Sequence, residues 1–104
     1  MKVLTETPES FKKFDRIFFE SGNCFLPEGW VPLVEELCGK LQEKLQEENL
    51  QMSVIQIKSK FNGLRFYADY LTKEIQDIIF NYEDKSIKIC QWCGKESNHE
   101  EQCC

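Results

Sequence analysis

Between Met52 and Tyr70 the chain leaves helical spacing for alternation, and Asn62-Gly63 stands between two runs rich in β-branched and aromatic residues. No other stretch constrains the fold as much, because Asn-Gly takes both left-handed conformations of a two-residue hairpin turn at little cost. With that turn, Phe61 opposes Leu64, Ser59 opposes Phe66, Ile57 opposes Ala68 and Ile55 opposes Tyr70. Directly paired residues share a face, so this set forms the core side. The other side pairs Lys60 with Arg65 and Lys58 with Tyr67, and is basic and aromatic.

The flanking segments read as helices. Thr7-Pro8-Glu9 supplies a cap hydroxyl, a first-turn proline and an acid that complements the helix dipole. Phe11, Phe14 and Phe18 follow at helical spacing with Ile17 alongside, which predicts a helix over 8–20 ended by Ser21-Gly22-Asn23. After the turn-rich stretch from Cys24 to Trp30, Val34, Leu37, Cys38, Leu41 and Leu45 describe a second amphipathic helix reaching Glu48. Its outer face carries Glu36/Lys40 and Lys44/Glu48 pairs one turn apart. Thr72 can cap a third helix with a buried stripe of Ile75, Ile78, Ile79 and Tyr82, closing between Asp84 and Ser86, and Ile87 to Cys90 can add a short strand.

The expected fold is therefore α+β, a single small domain in the order α-α-β-β-α-β with its helices on one face of a three-stranded sheet. Residues 1–89 form the core domain and 90–104 a zinc-knuckle-like tail. A chain of 104 residues supports one core of modest stability, and 41% hydrophobic content with 8 Phe excludes wholesale disorder. We see no secretory leader and no apolar run of the ~18 residues a membrane span needs, so a cytoplasmic protein without membrane contact is expected.

The last fifteen residues hold four of the six cysteines and the one histidine. A segment this polar buries too little apolar surface to offset its chain entropy, whereas Zn²⁺ held by thiolates and imidazole could fold it. The spacing is Cys-x2-Cys-x5-His followed by two adjacent cysteines, which predicts Zn²⁺ held by Cys90, Cys93, His99 and one of Cys103 or Cys104. The alternative is a cysteine-rich terminus without metal. Gly94 permits the positive-φ geometry that turns backbone amides toward the sulfurs. Cys38 lies on an apolar helical stripe and Cys24 stands alone; buried reduced thiols are the simpler reading, a Cys24–Cys38 disulfide the other.

Two resemblances follow from these residues. Cys90-Gln-Trp-Cys-Gly-Lys-Glu96 with His99 and Cys104 resembles the CCHC zinc knuckle of retroviral nucleocapsid-type proteins, which implies zinc and single-stranded nucleic acid. It departs in having one more residue between Cys93 and His99, and Asn98 where the knuckle has glycine. Separately, Gly29-Trp30, Leu33-Val34, Leu37-Cys38, Gln56-Ile-Lys-Ser-Lys-Phe-Asn-Gly-Leu-Arg-Phe-Tyr67, Glu74-Ile75, Ile78-Ile79, Ser86 and Cys90-x-x-Cys93-Gly94 resemble a family of small uncharacterised bacterial and phage proteins. That family carries a "KFGGLRFY"-like hairpin and a terminal Cys-x-x-Cys-Gly. The likeness spans about residues 24–94 and implies an intact fold without specifying a chemistry.

Catalysis has the least support, because the one histidine lies in the metal tail and neither Cys24 nor Cys38 has a separate base to activate it. The main expectation is a non-catalytic, zinc-stabilised protein-binding factor of the inhibitor, immunity or phage accessory type. An acidic chain of net charge −5 with one basic-aromatic patch offers two oppositely charged surfaces for docking. The alternative is nucleic-acid binding through the hairpin face and the tail. Both readings place contact on Lys58, Lys60, Arg65, Tyr67 and Trp92. Their bland counterpart is a solvated hairpin face whose lysines discourage edge association.

Overall fold

The computed structural model describes residues 3–20, 22–69 and 72–95. Strand β1 (Val3–Leu4) pairs antiparallel with β3 (Leu26–Pro27), and between them lie a 3₁₀ helix, Glu9–Lys13, and strand β2 (Ile17–Phe19). A second 3₁₀ turn, Glu28–Trp30, leads into helix α1 (Val31–Glu48). Strands β4 (Met52–Lys60) and β5 (Gly63–Ala68) follow, then helix α2 (Lys73–Ser86). The three-stranded sheet has the order β2-β4-β5, with β2 parallel and β5 antiparallel to the central β4. A parallel pair needs a long crossover, and α1 lies within it.

Helix α1 buries Leu33, Val34, Leu37, Cys38, Leu41 and Leu45 along one stripe and stops at Asn49, whose left-handed φ of 55° lets Leu50 N–H return to Leu45 O at 2.8 Å. In α2 the Thr72 hydroxyl accepts from Ile75 N–H at 3.2 Å, and Ile75, Ile79, Tyr82 and Ser86 are buried. Both helices pack on the face that carries Met52, Val54, Ile57, Leu64 and Phe66, all buried with Trp30 and Phe11 in one core. Lys44 bridges to Glu74, joining the helices, where helical spacing had paired it with Glu48.

Four expectations are corrected. The element order is not α-α-β-β-α-β, because the segment 8–20 forms one 3₁₀ turn and a strand instead of a helix. Phe11 and Phe14 are buried at a three-residue spacing that a 3₁₀ turn satisfies equally well. The β-branched and aromatic run Ile17-Phe18-Phe19 then pairs with β4, which leaves Phe18 65% exposed. Second, Ile87 to Cys90 forms no strand; Ile87 and Lys88 turn directly after α2. The third strand of the sheet is β2.

Third, the hairpin turns at Phe61-Asn62, with φ of 54° and 62°, and not at Asn62-Gly63. The observed pairs are Lys60 with Gly63, Ser59 with Leu64, Lys58 with Arg65, Ile57 with Phe66 and Gln56 with Tyr67. This slips the pairing by two residues, which preserves the faces because side chains alternate with period two. What selects it is α2: the Ser86 hydroxyl accepts from Leu64 N–H at 2.8 Å and Glu83 from Phe66 N–H at 2.9 Å. Gly63 is buried there, with room for a Cβ only 3.3 Å from Arg65 Nη1. Fourth, a bulge between Val54 and Gln56 inserts one residue into β4. Val54 is therefore buried and Ile55 exposed, and Phe61 at the tip is 85% exposed instead of in the core.

Candidate metal-binding turn and docking face

Immediately beyond α2 the chain makes a tight turn that carries both thiols of Cys90-x-x-Cys93. Gly94, at φ 80°, brings its N–H to Cys90 O at 2.9 Å, and Cys90 N–H reaches Lys95 O at 2.8 Å. Trp92 N–H points at Cys90 Sγ, 3.4 Å away. An amide aimed at sulfur stabilises the thiolate form that binds metal. Cys90 is half-buried and Cys93 exposed. Among the described residues no three His, Cys, Asp or Glu side chains gather as metal ligands do. His99, Cys103 and Cys104, the other ligands expected from the spacing, lie outside the described residues.

The turn is fastened to the body at three points. Gly29 N–H donates to Gln91 O at 2.8 Å, and a Cβ on Gly29 would stand 2.4 Å from Cys90 O and 2.6 Å from Gln91 C. Only glycine admits that approach. Trp30, fully buried, donates its Nε1–H to Ile89 O at 2.9 Å. The Gln91 amide meets the hairpin: Ser59 Oγ donates to its Oε1 at 2.9 Å, and its Nε2 donates to Asn62 Oδ1 at 3.3 Å. These hydrogen bonds join residues 89–91 to the 3₁₀ turn and the hairpin tip.

The hairpin face opposite the helices holds Lys58, Arg65 and Tyr67 together. Lys58 and Arg65 stand directly across from each other, and Lys58 Nζ lies 5.8 Å from the Tyr67 ring centre. Lys60 stands opposite Gly63 at the tip, with its Nζ 5.6 Å from the Phe61 ring. Trp92 belongs to the cysteine turn and not to the strands. Exposed apolar groups on and beside the sheet, Phe18 (65%), Phe25 (42%), Ile55 (40%) and Tyr67 (41%), accompany the bases. Strands β4 and β5 carry three bases and no acid.

Several residues here were missed from sequence. Gln91 gives no signal, being a polar residue inside a cysteine motif, and Ile55 and Phe61 were assigned to the core. Gly29 had one hint, the Gly29-Trp30 pair that accompanies the terminal cysteines in the resemblance above. Elsewhere, burial pushes the thiols of Cys24 and Cys38 up, away from thiolate. Burial also raises the Glu83 carboxyl, against the opposing pull of Phe66 N–H and Arg65.

In a cleft of about 530 Å³ at the β2 end of the sheet, Asp69 accepts from Ser53 N–H at 2.8 Å and Asp15 from the Gln42 amide. Among the described residues no helix is long and apolar enough to cross a membrane. Comparison with protein-family models, curated proteins and solved structures gives no match.

Proposed function

We propose that the chain is a small, non-catalytic, zinc-stabilised protein-binding factor, of the inhibitor, immunity or phage accessory type. Its occupied face is the outer side of β4 and β5 together with the hairpin tip, and its partner presents acidic residues beside apolar ones. The observation that carries this reading is Phe61. Its ring is 85% exposed, and its backbone holds a left-handed φ of 54° that costs a non-glycine residue on the order of 1 kcal/mol. Strain of this kind collects where a surface is used. The directly opposed Lys58 and Arg65 add a second unfavourable pairing on the same hairpin, relieved when an acid lies between them.

Zn²⁺ at Cys90 and Cys93, completed by His99 and one of Cys103 or Cys104, would hold the cysteine turn against the hairpin and supply folding free energy that a core this size uses. The buried thiols of Cys24 and Cys38, raised away from thiolate, fit a role without nucleophilic chemistry.

Selection of displayed random peptides on the full zinc-loaded chain tests the reading. We expect enriched peptides to combine Asp or Glu with aromatic or aliphatic residues, and to lose binding on K58E/R65E and on Ile55→Asp. Acid-free peptides, or binding indifferent to those variants, would sink it.

A second reading, nucleic-acid binding, is favoured by the grouping of Lys58, Arg65 and Tyr67 on one face. Its signature is oligo-dT affinity that falls steeply with salt and vanishes on K58E/R65E. The protein reading ranks first because lysines already lie near the rings of Tyr67 and Phe61, and because Ile55 at the bulge offers no stacking surface.

A further inference from the structure

Strand β5 is an edge of the three-stranded sheet, and α2 runs beside it, bonded to Leu64 and Phe66 N–H. On that helix Gln76, Ile79, Phe80 and Glu83 recur at i, i+3, i+4 and i+7, so they form one stripe. Between the stripe and β5 lies a cavity of about 420 Å³. The buried Phe66 and Ile79 line it together with two open rings, Tyr67 and the 57% exposed Phe80. Three polar groups also border it. Arg65 sends Nη1 to Leu64 O at 3.1 Å, which holds its guanidinium at the sheet edge, and it forms no ion pair among the described residues. The Gln76 side chain makes no hydrogen bond among the described residues. Glu83, by contrast, is already committed, one oxygen taking Phe66 N–H at 2.9 Å.

We propose that this cavity binds a small apolar carboxylate, an aryl or branched alkyl acid, with its anion on Arg65 and Gln76 and its hydrocarbon between Tyr67 and Phe80. The volume lies within the ~300–1,000 Å³ of small-molecule sites, and apolar walls with a few convergent polar groups are what such sites have. A guanidinium that spends one N–H on a carbonyl keeps others for a carboxylate, in a fork that matches both of its oxygens. Charge selects the same sign: Lys58, 5.8 Å from the Tyr67 ring centre, adds a second cation at the rim. The one acid at the cavity, Glu83, opposes an anion least because burial raises its carboxyl and Phe66 N–H engages it. This site goes beyond the protein-binding reading and requires neither a partner nor a metal, although Arg65 and Tyr67 belong to both surfaces.

Amide NMR titration of the isotope-labelled full chain with naphthylacetate, naphthylethanol and naphthylethylammonium tests this, since the three share a ring and differ in charge. Naphthylacetate should shift the amides of Ala68, Gln76 and Phe80 saturably and bind about tenfold more tightly than the alcohol, the effect of one charge-assisted hydrogen bond. Arg65→Gln should erase that advantage and leave the affinity for the alcohol unchanged. Glu83→Gln, which keeps an acceptor for Phe66 N–H, should tighten naphthylacetate roughly two- to fivefold by removing a like charge. Phe80→Ala, at an exposed position, should weaken acid and alcohol alike, and the same spectra show that each variant is folded. Equal affinity for acid and alcohol, tightest binding of the ammonium, naphthylacetate affinity untouched in Arg65→Gln, or no saturable shift at those amides would each overturn the proposal.

Discussion

Replacing Gly29 by alanine should destabilise the protein, although alanine normally does the opposite at such a position. Gly29 lies within the 3₁₀ turn Glu28–Trp30 and not in the left-handed region, so its backbone is one alanine adopts freely. By unfolded-state entropy alone the exchange would stabilise by ~0.4–1 kcal/mol. The structure reverses the sign, because the new Cβ would lie 2.4 Å from Cys90 O, 2.6 Å from Gln91 C and 2.7 Å from Gln91 O. All three are main-chain atoms, with no flexible end to swing aside.

The cysteine turn must back away. In doing so it gives up the Gly29 N–H to Gln91 O bond and strains the Trp30 Nε1–H to Ile89 O bond, whose donor belongs to a fully buried ring. One lost bond at ~1 kcal/mol and one weakened buried donor at ~1–3 kcal/mol sum to roughly 2–4 kcal/mol. In urea denaturation at 25 °C, a slope of ~1.5 kcal/mol per molar puts the midpoint roughly 1.3–2.7 M below wild type with the slope unchanged. A midpoint within ~0.3 M of wild type, or above it, would refute the claim that the turn is packed on Gly29.

The other glycine of interest behaves oppositely: Gly39 lies inside α1 with nothing nearer its absent Cβ than Phe14 Cε1 at 4.0 Å, so Gly39→Ala should add ~0.5–1 kcal/mol, read as a higher melting temperature. Glu83, whose carboxyl is raised above its unfolded value chiefly by burial, binds its proton first in the folded state. Its contribution is therefore full below the ordinary glutamate range and fades as pH rises through the raised value. Glu83→Gln keeps an acceptor for Phe66 N–H and should flatten stability against pH on the acid side of neutrality; an unchanged slope in denaturation series across that range would count against it. Alkylation followed by peptide mapping should label Cys93 in the native state and Cys24 and Cys38 only on unfolding, and fast native labelling of either buried thiol would contradict the packing.

How much of this was readable beforehand depends on which residues had alternatives. The stripe from Val34 to Leu45 admits only a helix, and Thr72 marks the start of α2 because its hydroxyl caps Ile75 N–H in fact as in expectation. The hairpin's faces were readable because period two fixes them, but its register was not, since a slip of two leaves every face intact. Ser86 and Glu83, in a different element, decide the register. Phe11 and Phe14 concealed β2 because their spacing suits a helical turn, while Ile17 to Phe19 reveals itself only in its pairing with β4. For the candidate site, the cysteine spacing located the turn, and nothing in the order of residues announces that Gln91 reaches the hairpin or that Gly29 lies beneath it.

The two bonds from α2 to β5 also bear on how this chain can be recognised. An open strand edge offers its backbone to any extended peptide, and the affinity it yields is largely indifferent to sequence. Here the outward amides of Leu64 and Phe66 are already spoken for by a hydroxyl and a carboxylate, and the opposite side of β4 is occupied by the short segments 16–20 and 23–25. Along the β5 edge a visitor gains little by imitating a strand. Under the docking reading, a partner at that edge would be chosen by its side chains, one by one, and so by discrimination instead of general adhesion.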